Sequence, residues 1–527
     1  MSSYRRRPID RRNFLALAGG GTLAVASAVA GFSAAPAWAN PRFGENPFSL
    51  GVASGDPLPD GVVLWTRLAP DPLAPDGRGG MPDRTISVQW QVAEDPKFRH
   101  VVRSGVHRAT PELGHSVHVE VSGLRADRQY WYRFRAGPEL SEVGRTRTAP
   151  EPGAALSSLA FAFASCQNYP QGYYTALRHM SEEDLDLVIH LGDYIYEGTA
   201  QGSIGRGHLP ATECFSLADY RVRYGQYKSD VDLRACHAAF PWMVIMDDHD
   251  VDNNWAADLD GHDNGGAEFL DRRAAAFQAY YEHMPLRQAA LPAGPDMQLY
   301  RRLVFGDLAQ FDMVDTRQYR DNQACGDGRK FDCDERLDPS RTMLGDAQES
   351  WLLDGLGNAT ATWKVLANQI FMMQGDSAYG PEQAFGMDTW DGYAAARQRL
   401  FDGVRDRGVE NFVVVTGDAH RSVAANLKVD FDDPDSDIVG TEFLGTSISS
   451  GGDGQDMDAW GRRWLDENPH MKFHNVQRGY ARCELTPNEW RTDYRVVPYV
   501  SEPGAPISTR ASVYVEAGQP GIQHVEE

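Results

Sequence analysis

The sequence predicts an α/β protein in two parts: an antiparallel β-sandwich of the fibronectin or immunoglobulin kind, then a larger α/β domain. Three observations carry this. First, ISVQWQVAED, VVRSGVHRA, SVHVEVSGL and QYWYRFRAG, all before residue 150, alternate apolar and polar residues at period two and are separated by short turn-forming stretches. Second, after residue 157 the strands change character. LAFAFAS, LDLVIHLGD, PWMVIMDD and NFVVVTGD are near-continuous apolar runs, as expected of strands covered on both faces. Third, helical patterns such as GYYTALRHM, DRRAAAFQAYYEHM and GYAAARQRLFDGVRDRG fall between those runs.

The division that follows is residues 41–150 for the sandwich and 157–510 for the α/β domain, with TAPEPGAALSS as a linker. Residues 1–39 read as a targeting segment. Arg5, Arg6, Arg7 and the pair Arg11-Arg12 precede Asn13-Phe14-Leu15, a Gly/Ala-rich apolar stretch and the cleavage-like Ala37-Trp38-Ala39. Paired arginines with a weakly apolar core resemble a twin-arginine (Tat) signal, which implies the Tat machinery as a partner and a secreted or periplasmic address. The stretch is too rich in Gly and Ala for a transmembrane anchor, and no other long apolar run exists.

Of the 527 residues, 42% are hydrophobic and 24% charged, with a formal net charge of −23. The first 39 residues contribute +4, leaving −27 for the rest. A surface that acidic argues against a nucleic-acid-binding role, which needs a basic patch, and suits cation binding. Six cysteines fit an oxidising compartment only in part. Cys325 and Cys333 bracket the polar loop CGDGRKFDC, and Cys214 lies 22 residues before Cys236; both could be disulfides. Cys483, in the alternating stretch GYARCELT, reads as a small buried residue, which leaves Cys166.

Each apolar run stops at chemistry-bearing residues. The first ends at Cys166. The second ends in HLGDYIYEG, with Asp193 and Tyr196. The third ends in DDHDVDNNW, with Asp247, Asp248, His249, Asp250, Asp252, Asn253 and Asn254. A later one ends in GDAH, with Asp418 and His420. In α/β sheets the carboxyl ends of strands are where ligands bind. A lone GD is usually a turn, but four such ends bringing carboxylate, thiol, phenol, amide and imidazole together point to a metal site. As a phosphatase nucleophile Cys166 would need an arginine six residues on, and position 172 is Gly.

The segments FASC, HLGDYIYEG, DDHDVDNNW, DTRQYRD, LANQIF and GDAHRS, with FSLGVASGDPLPDGVVLWTRL near the start, are similar to the PhoD family of alkaline phosphatases and phosphodiesterases. The resemblance runs from about residue 45 to about residue 500. It implies an α/β/β/α metallophosphatase core and an Fe³⁺ and Ca²⁺ site. Carried over by position, Cys166, Tyr196 and His420 would bind Fe³⁺, Asp193 would bridge, and Asn254 and Asp418 would bind Ca²⁺. Asp248 is a further candidate ligand, and His249 would stand near the leaving group. The implied activity is hydrolysis of phosphate mono- and diesters by metal-activated hydroxide; a phospholipase D-like diesterase acting on phospholipids is the alternative, and a non-catalytic calcium- or phosphate-binding surface protein a third reading. Arg317 and Arg320 could clamp a phosphate or form structural salt bridges. Asn368 and Gln369 could line the site or cap a strand, and the C-terminal STRASVYVEAGQPGIQHVEE could cover it.

Overall fold

The computed structural model describes residues 43–527 apart from 201 and 203; residues 1–39, read above as a twin-arginine signal, lie outside the described residues. The centre is a pair of facing mixed sheets. In the first, of ten strands, the parallel strands Leu159–Ala164, Leu187–His190, Pro241–Val244 and Val52–Leu58 lie side by side. In the second, of seven, Ala309–Met313, Trp363–Ala367, Phe412–Thr416 and Ile438–Leu444 are the parallel set. Every residue of Leu187–His190, Pro241–Val244 and Phe412–Thr416 is buried, which is why these strands read as unbroken apolar runs.

Large aromatics fill the space between the sheets. Phe161 meets Phe311 and Trp490 edge-on at 5.2 and 5.6 Å, and Trp490 also meets Trp363 at 5.6 Å. Edge-to-face pairs at such separations stabilise beyond their buried area. Helices cover the outer faces. Thr175–Ser181, Val231–Ala239, Leu217–Lys228 and Ala267–His283 contribute apolar side chains to the core around the first sheet. Gly345–Gly357 and Ala394–Asp406 do so on the second. The layering is α/β/β/α, as expected.

The N-terminal β structure forms as predicted, with one feature periodicity does not reveal. Ile86–Ala93, Val101–Ala109 and Gln129–Ala136 build a separate five-stranded sheet with Glu139–Leu140 and Gly144–Arg147. Ser116–Val121 instead pairs with Gly61–Arg67, which pairs with Val52–Leu58, so these three continue the ten-stranded sheet. The two layers share a core of Val62, Leu64, Val88, Val119, Tyr132 and Phe134. Half of the sandwich is thus an extension of the central sheet.

The C-terminal residues do not lie over the strand ends. Ser508–Glu516 and His524–Glu526 add two antiparallel strands to the edge of the ten-stranded sheet. Cys325 and Cys333 form a disulfide. The Cys214–Cys236 bond that the spacing allowed does not form: both cysteines are free and fully buried. A helix, Val231–Ala239, carries Cys236 into the core, and Cys214 is fixed by its N–H bond to the Glu197 carbonyl. Each packs as a small apolar residue, and burial pushes both thiols up, Cys214 to about 12. Cys483 is likewise buried and free, in the strand Arg478–Leu485. Among the described residues no helix is long and apolar enough to cross a membrane.

Candidate metal centre

Three neighbouring parallel strands of the first sheet end within reach of one another. Beyond Ala164 come Ser165 and Cys166; beyond His190, Asp193 and Tyr196; beyond Val244, Asp247 and Asp248. Phe412–Thr416 of the second sheet delivers Asp418 and His420. The two sheets are stitched at this edge: Ser165 bridges Ser447 in parallel, and Ile448 donates its N–H to the Ser165 carbonyl at 3.1 Å.

Both GD pairs exist for closeness. Gly192 has φ +103, and a Cβ there would stand 2.3 Å from the Asp247 Cβ. At Gly417 a Cβ would lie 2.4 Å from the Ser165 hydroxyl. Any side chain at either position would drive the strand ends apart. Five candidate ligands, Cys166, Asp193, Asn254, Asp418 and His420, have φ between 54° and 67°. Non-glycine residues in this left-handed region cost of order 1–3 kcal/mol each and gather where surrounding structure holds a functional geometry.

The side chains form two groups. One ligand atom from each of Cys166, Asp193 and His420 lies within 4.8 Å of the others, and the same holds for Asp193, Asp247, Asp248 and Asp418. Asp193 belongs to both. The Tyr196 hydroxyl joins the first group, 3.1 Å from His420 Nε2 and 2.7 Å from the Ser450 hydroxyl that donates to it. Asn254 joins the second through its N–H, which donates to Asp248 Oδ2 at 2.8 Å.

These residues fit a pair of cations. Asp193 Oδ2, Asp247 Oδ2 and Asp248 Oδ1 are buried with no hydrogen-bond donor. Burial, and then the neighbouring carboxylates, push the Cys166 thiol and the Asp193 and Asp418 carboxyls well above their ordinary values. A cation reverses that by stabilising the ionised forms. Burial also pushes the His420 imidazolium down to about 3, leaving the neutral ring that can coordinate. Thiolate, phenolate and imidazole beside a shared carboxylate suit a trivalent iron; an all-oxygen set suits calcium. In a third acidic group, Glu197, Glu213 and Asp252, each carboxylate has a basic partner instead: Arg272 reaches Glu213 at 2.8 Å and Asp252 at 3.0 Å, and His249 reaches Glu197 at 2.8 Å.

His249 stands against the Tyr196 ring, centroids 4.2 Å apart, with its Nδ1 2.8 Å from Glu197 Oε2. Burial alone would lower its pKa, but the carboxylates of Glu197, Asp193 and Asp248 outweigh burial and hold it well above the usual histidine value. Arg317 and Arg320 are both buried. The Arg317 Nε donates to Asp247 at 2.6 Å and its Nη1 to both oxygens of Asp388 at 3.0 and 3.1 Å. Arg320 Nη2 donates to Asp388 at 2.6 Å and to the Trp255 carbonyl at 3.0 Å. Asn368 and Gln369 bond to Ile370, Val314 and Thr316 at the strand ends.

Four partners escape sequence reading: Glu197, Ser450, Asp388 and Asp327, the last of which accepts from Asn254 Nδ2 at 2.8 Å. Glu197 alone had a signal, as the acidic residue directly after Tyr196 in YIYEG.

The two-sheet α/β/β/α sandwich thus carries two candidate ligand clusters at its strand ends, with Asp193 in both. Residues 161–494 match the family model for PhoD-like phosphatase, and 33–150 match its N-terminal domain. The chain belongs to the PhoD-like phosphatase family and is a phosphoric ester hydrolase. It is 51% identical to alkaline phosphatase D of Bacillus subtilis (strain 168), over 99% of this chain and 90% of that protein. The solved structure of PhoD matches at 53% identity with a TM-score of 0.88, covering 92% of this chain and 93% of that one. A shorter match, 26% identical over 26% of this chain and 30% of the other, is to purple acid phosphatase 23 of Arabidopsis thaliana.

Proposed function

We propose that the protein is an exported alkaline phosphomonoesterase and phosphodiesterase with a mixed iron–calcium centre. The observation that carries this is the double membership of Asp193. Cys166, Tyr196, His420 and Asp193 would hold Fe³⁺; Asp193, Asp248, Asn254 and Asp418 would hold Ca²⁺, with Asp247 beside them. When bound, the ions would supply Lewis-acid charge and a nucleophilic oxygen at neutral pH.

The chain's own residues supply orientation and a proton. With Nδ1 donating to Glu197, His249 keeps Nε2 for the substrate, and the Glu197 carboxylate favours the protonated ring that would serve the departing alcohol. Its side chain is 24% exposed, so a substrate can reach it. Arg317 and Arg320 act as positioning residues. Their guanidinium groups pair with Asp247, Asp248 and Asp388, and in this reading they hold the acidic cluster together rather than grip a phosphate. Export is supported by the paired arginines of the leader and by the Cys325–Cys333 disulfide, which suits an oxidising compartment.

Elemental analysis of the active protein beside assays on p-nitrophenyl phosphate, its bis ester and phosphatidylcholine tests the reading. About one iron per chain, calcium, and turnover of the first two esters are expected. An iron-free, colourless and fully active preparation excludes the iron assignment, and activity on phosphatidylcholine alone excludes the substrate class.

A further inference from the structure

The disulfide-closed loop CGDGRKFDC reaches into the centre described above. Four consecutive residues, Cys325, Gly326, Asp327 and Gly328, have positive φ of 54°, 73°, 57° and 73°. Cys325 and Asp327 meet the left-handed demand without being glycine, so something must hold them. The loop is anchored on three sides. The disulfide closes it, Arg329–Lys330 pairs with Phe385–Gly386, and the Cys325 N–H donates to Glu335 Oε2 at 2.7 Å. What this scaffold presents is the Asp327 carboxylate, and it accepts from Asn254 Nδ2 at 2.8 Å.

Asn254 already has its backbone fixed. Its N–H donates to Asp248 Oδ2 at 2.8 Å, and its carbonyl accepts from Gln323 Nε2 at 2.6 Å and Arg320 Nη2 at 3.2 Å. The remaining freedom is the turn of the side-chain amide. A carboxylate can only accept, so the atom facing Asp327 must be the NH₂ group; the opposite turn would set two acceptors against each other. Oδ1 is therefore the atom left over, and oxygen is what calcium requires.

We propose that Asp327 is a positioning residue for the second cation. Held by the Cys325–Cys333 loop, it turns the Asn254 amide so that oxygen rather than nitrogen is offered to the metal. This rests on the reading of Asn254 as a calcium ligand. Partners that orient a ligand in this way are worth ten- to hundredfold in metal affinity.

The test is calcium titration of the chelator-stripped full chain, with iron content measured on the same samples. Asp327→Gly removes the carboxylate while suiting the positive φ, so backbone strain does not confuse the result. It should weaken calcium binding about ten- to hundredfold and leave iron content unchanged. Asp327→Asn keeps an acceptor oxygen and should restore most of the affinity. Opening the loop with Cys325→Ser and Cys333→Ser together should weaken calcium in the same direction by less; unchanged affinity there overturns the loop's part. If Asp327→Gly binds calcium as the wild type does while Asn254→Ala does not, the positioning role is wrong and the ligand assignment stands. If Asn254→Ala also keeps wild-type affinity, the ligand assignment falls and the proposal with it.

Discussion

The Tyr196 hydroxyl lies 3.1 Å from His420 Nε2, although the two residues are 224 positions apart and leave different sheets. Ser450 donates to the same oxygen at 2.7 Å. With a donor already in place and the imidazole neutral, the phenol oxygen is oriented to act as an anionic ligand. Tyr196→Phe should therefore cut phosphatase turnover about ten- to hundredfold and shift the visible absorption of the iron form to that of the thiolate alone. An unchanged spectrum with full turnover would remove Tyr196 from the ligand set.

Asp193 makes a different prediction, because it serves both clusters. Asp193→Asn should lower kcat by about 10³-fold or more, since losing several kcal/mol of charge stabilisation costs a factor of ten per 1.36 kcal/mol. Iron and calcium contents should fall together. Asp248→Asn should lower calcium alone. If Asp193→Asn loses only one ion, the shared position is misassigned.

How far the sequence reaches is visible in these same residues. Cys166, Asp193, Asp418 and His420 were legible because a parallel strand buried on both faces leaves an unbroken apolar run, and the first polar residues after it mark the ligand-binding edge. Glu197, Ser450, Asp388 and Asp327 were not. Each meets its partner through a loop whose path depends on the whole topology; Ser450 is 254 positions from Tyr196. Alternation found the strand Ser116–Val121 but could not say which sheet it joins, because period two is the same in either. The spacing of Cys214 and Cys236 allowed a bond, but the fold buries each as a free thiol, Cys236 on the helix Val231–Ala239.

Arg317 separates a structural from a catalytic cation. It is 1% exposed and faces Asp247, Asp248 and Asp388 at 2.6, 3.4 and 3.0 Å. Removing one partner of a buried ion pair leaves an uncompensated charge, at a cost of about 3–5 kcal/mol. Arg317→Met should lower the unfolding free energy by about that amount, and Arg317→Lys, which keeps the charge but loses the fork, by less. A rise in KM with an unchanged urea midpoint would instead mean that the guanidinium touches substrate.

Glu442, which is not among the candidate metal ligands, predicts a pH dependence of stability. Its carboxyl accepts from the Met372 and Met373 N–H groups at 2.8 and 2.6 Å and from the Thr416 hydroxyl at 2.8 Å. Burial outweighs these bonds and raises its pKa from 4.5 to about 7. Between those two values the folded chain keeps a proton that the unfolded chain has released. The unfolded state then binds fewer protons, so this group's contribution is full below about pH 4.5 and is lost as pH rises through 7. The size is at most about 3 kcal/mol. Glu442→Gln has no such titration. It is less stable overall, because its NH₂ group must face one of the backbone donors. Urea unfolding at pH 5 and pH 8 should show the wild type losing stability relative to the variant as pH rises. A gap that stays constant or widens in the wild type's favour would mean the carboxyl is already ionised in the folded chain at pH 5.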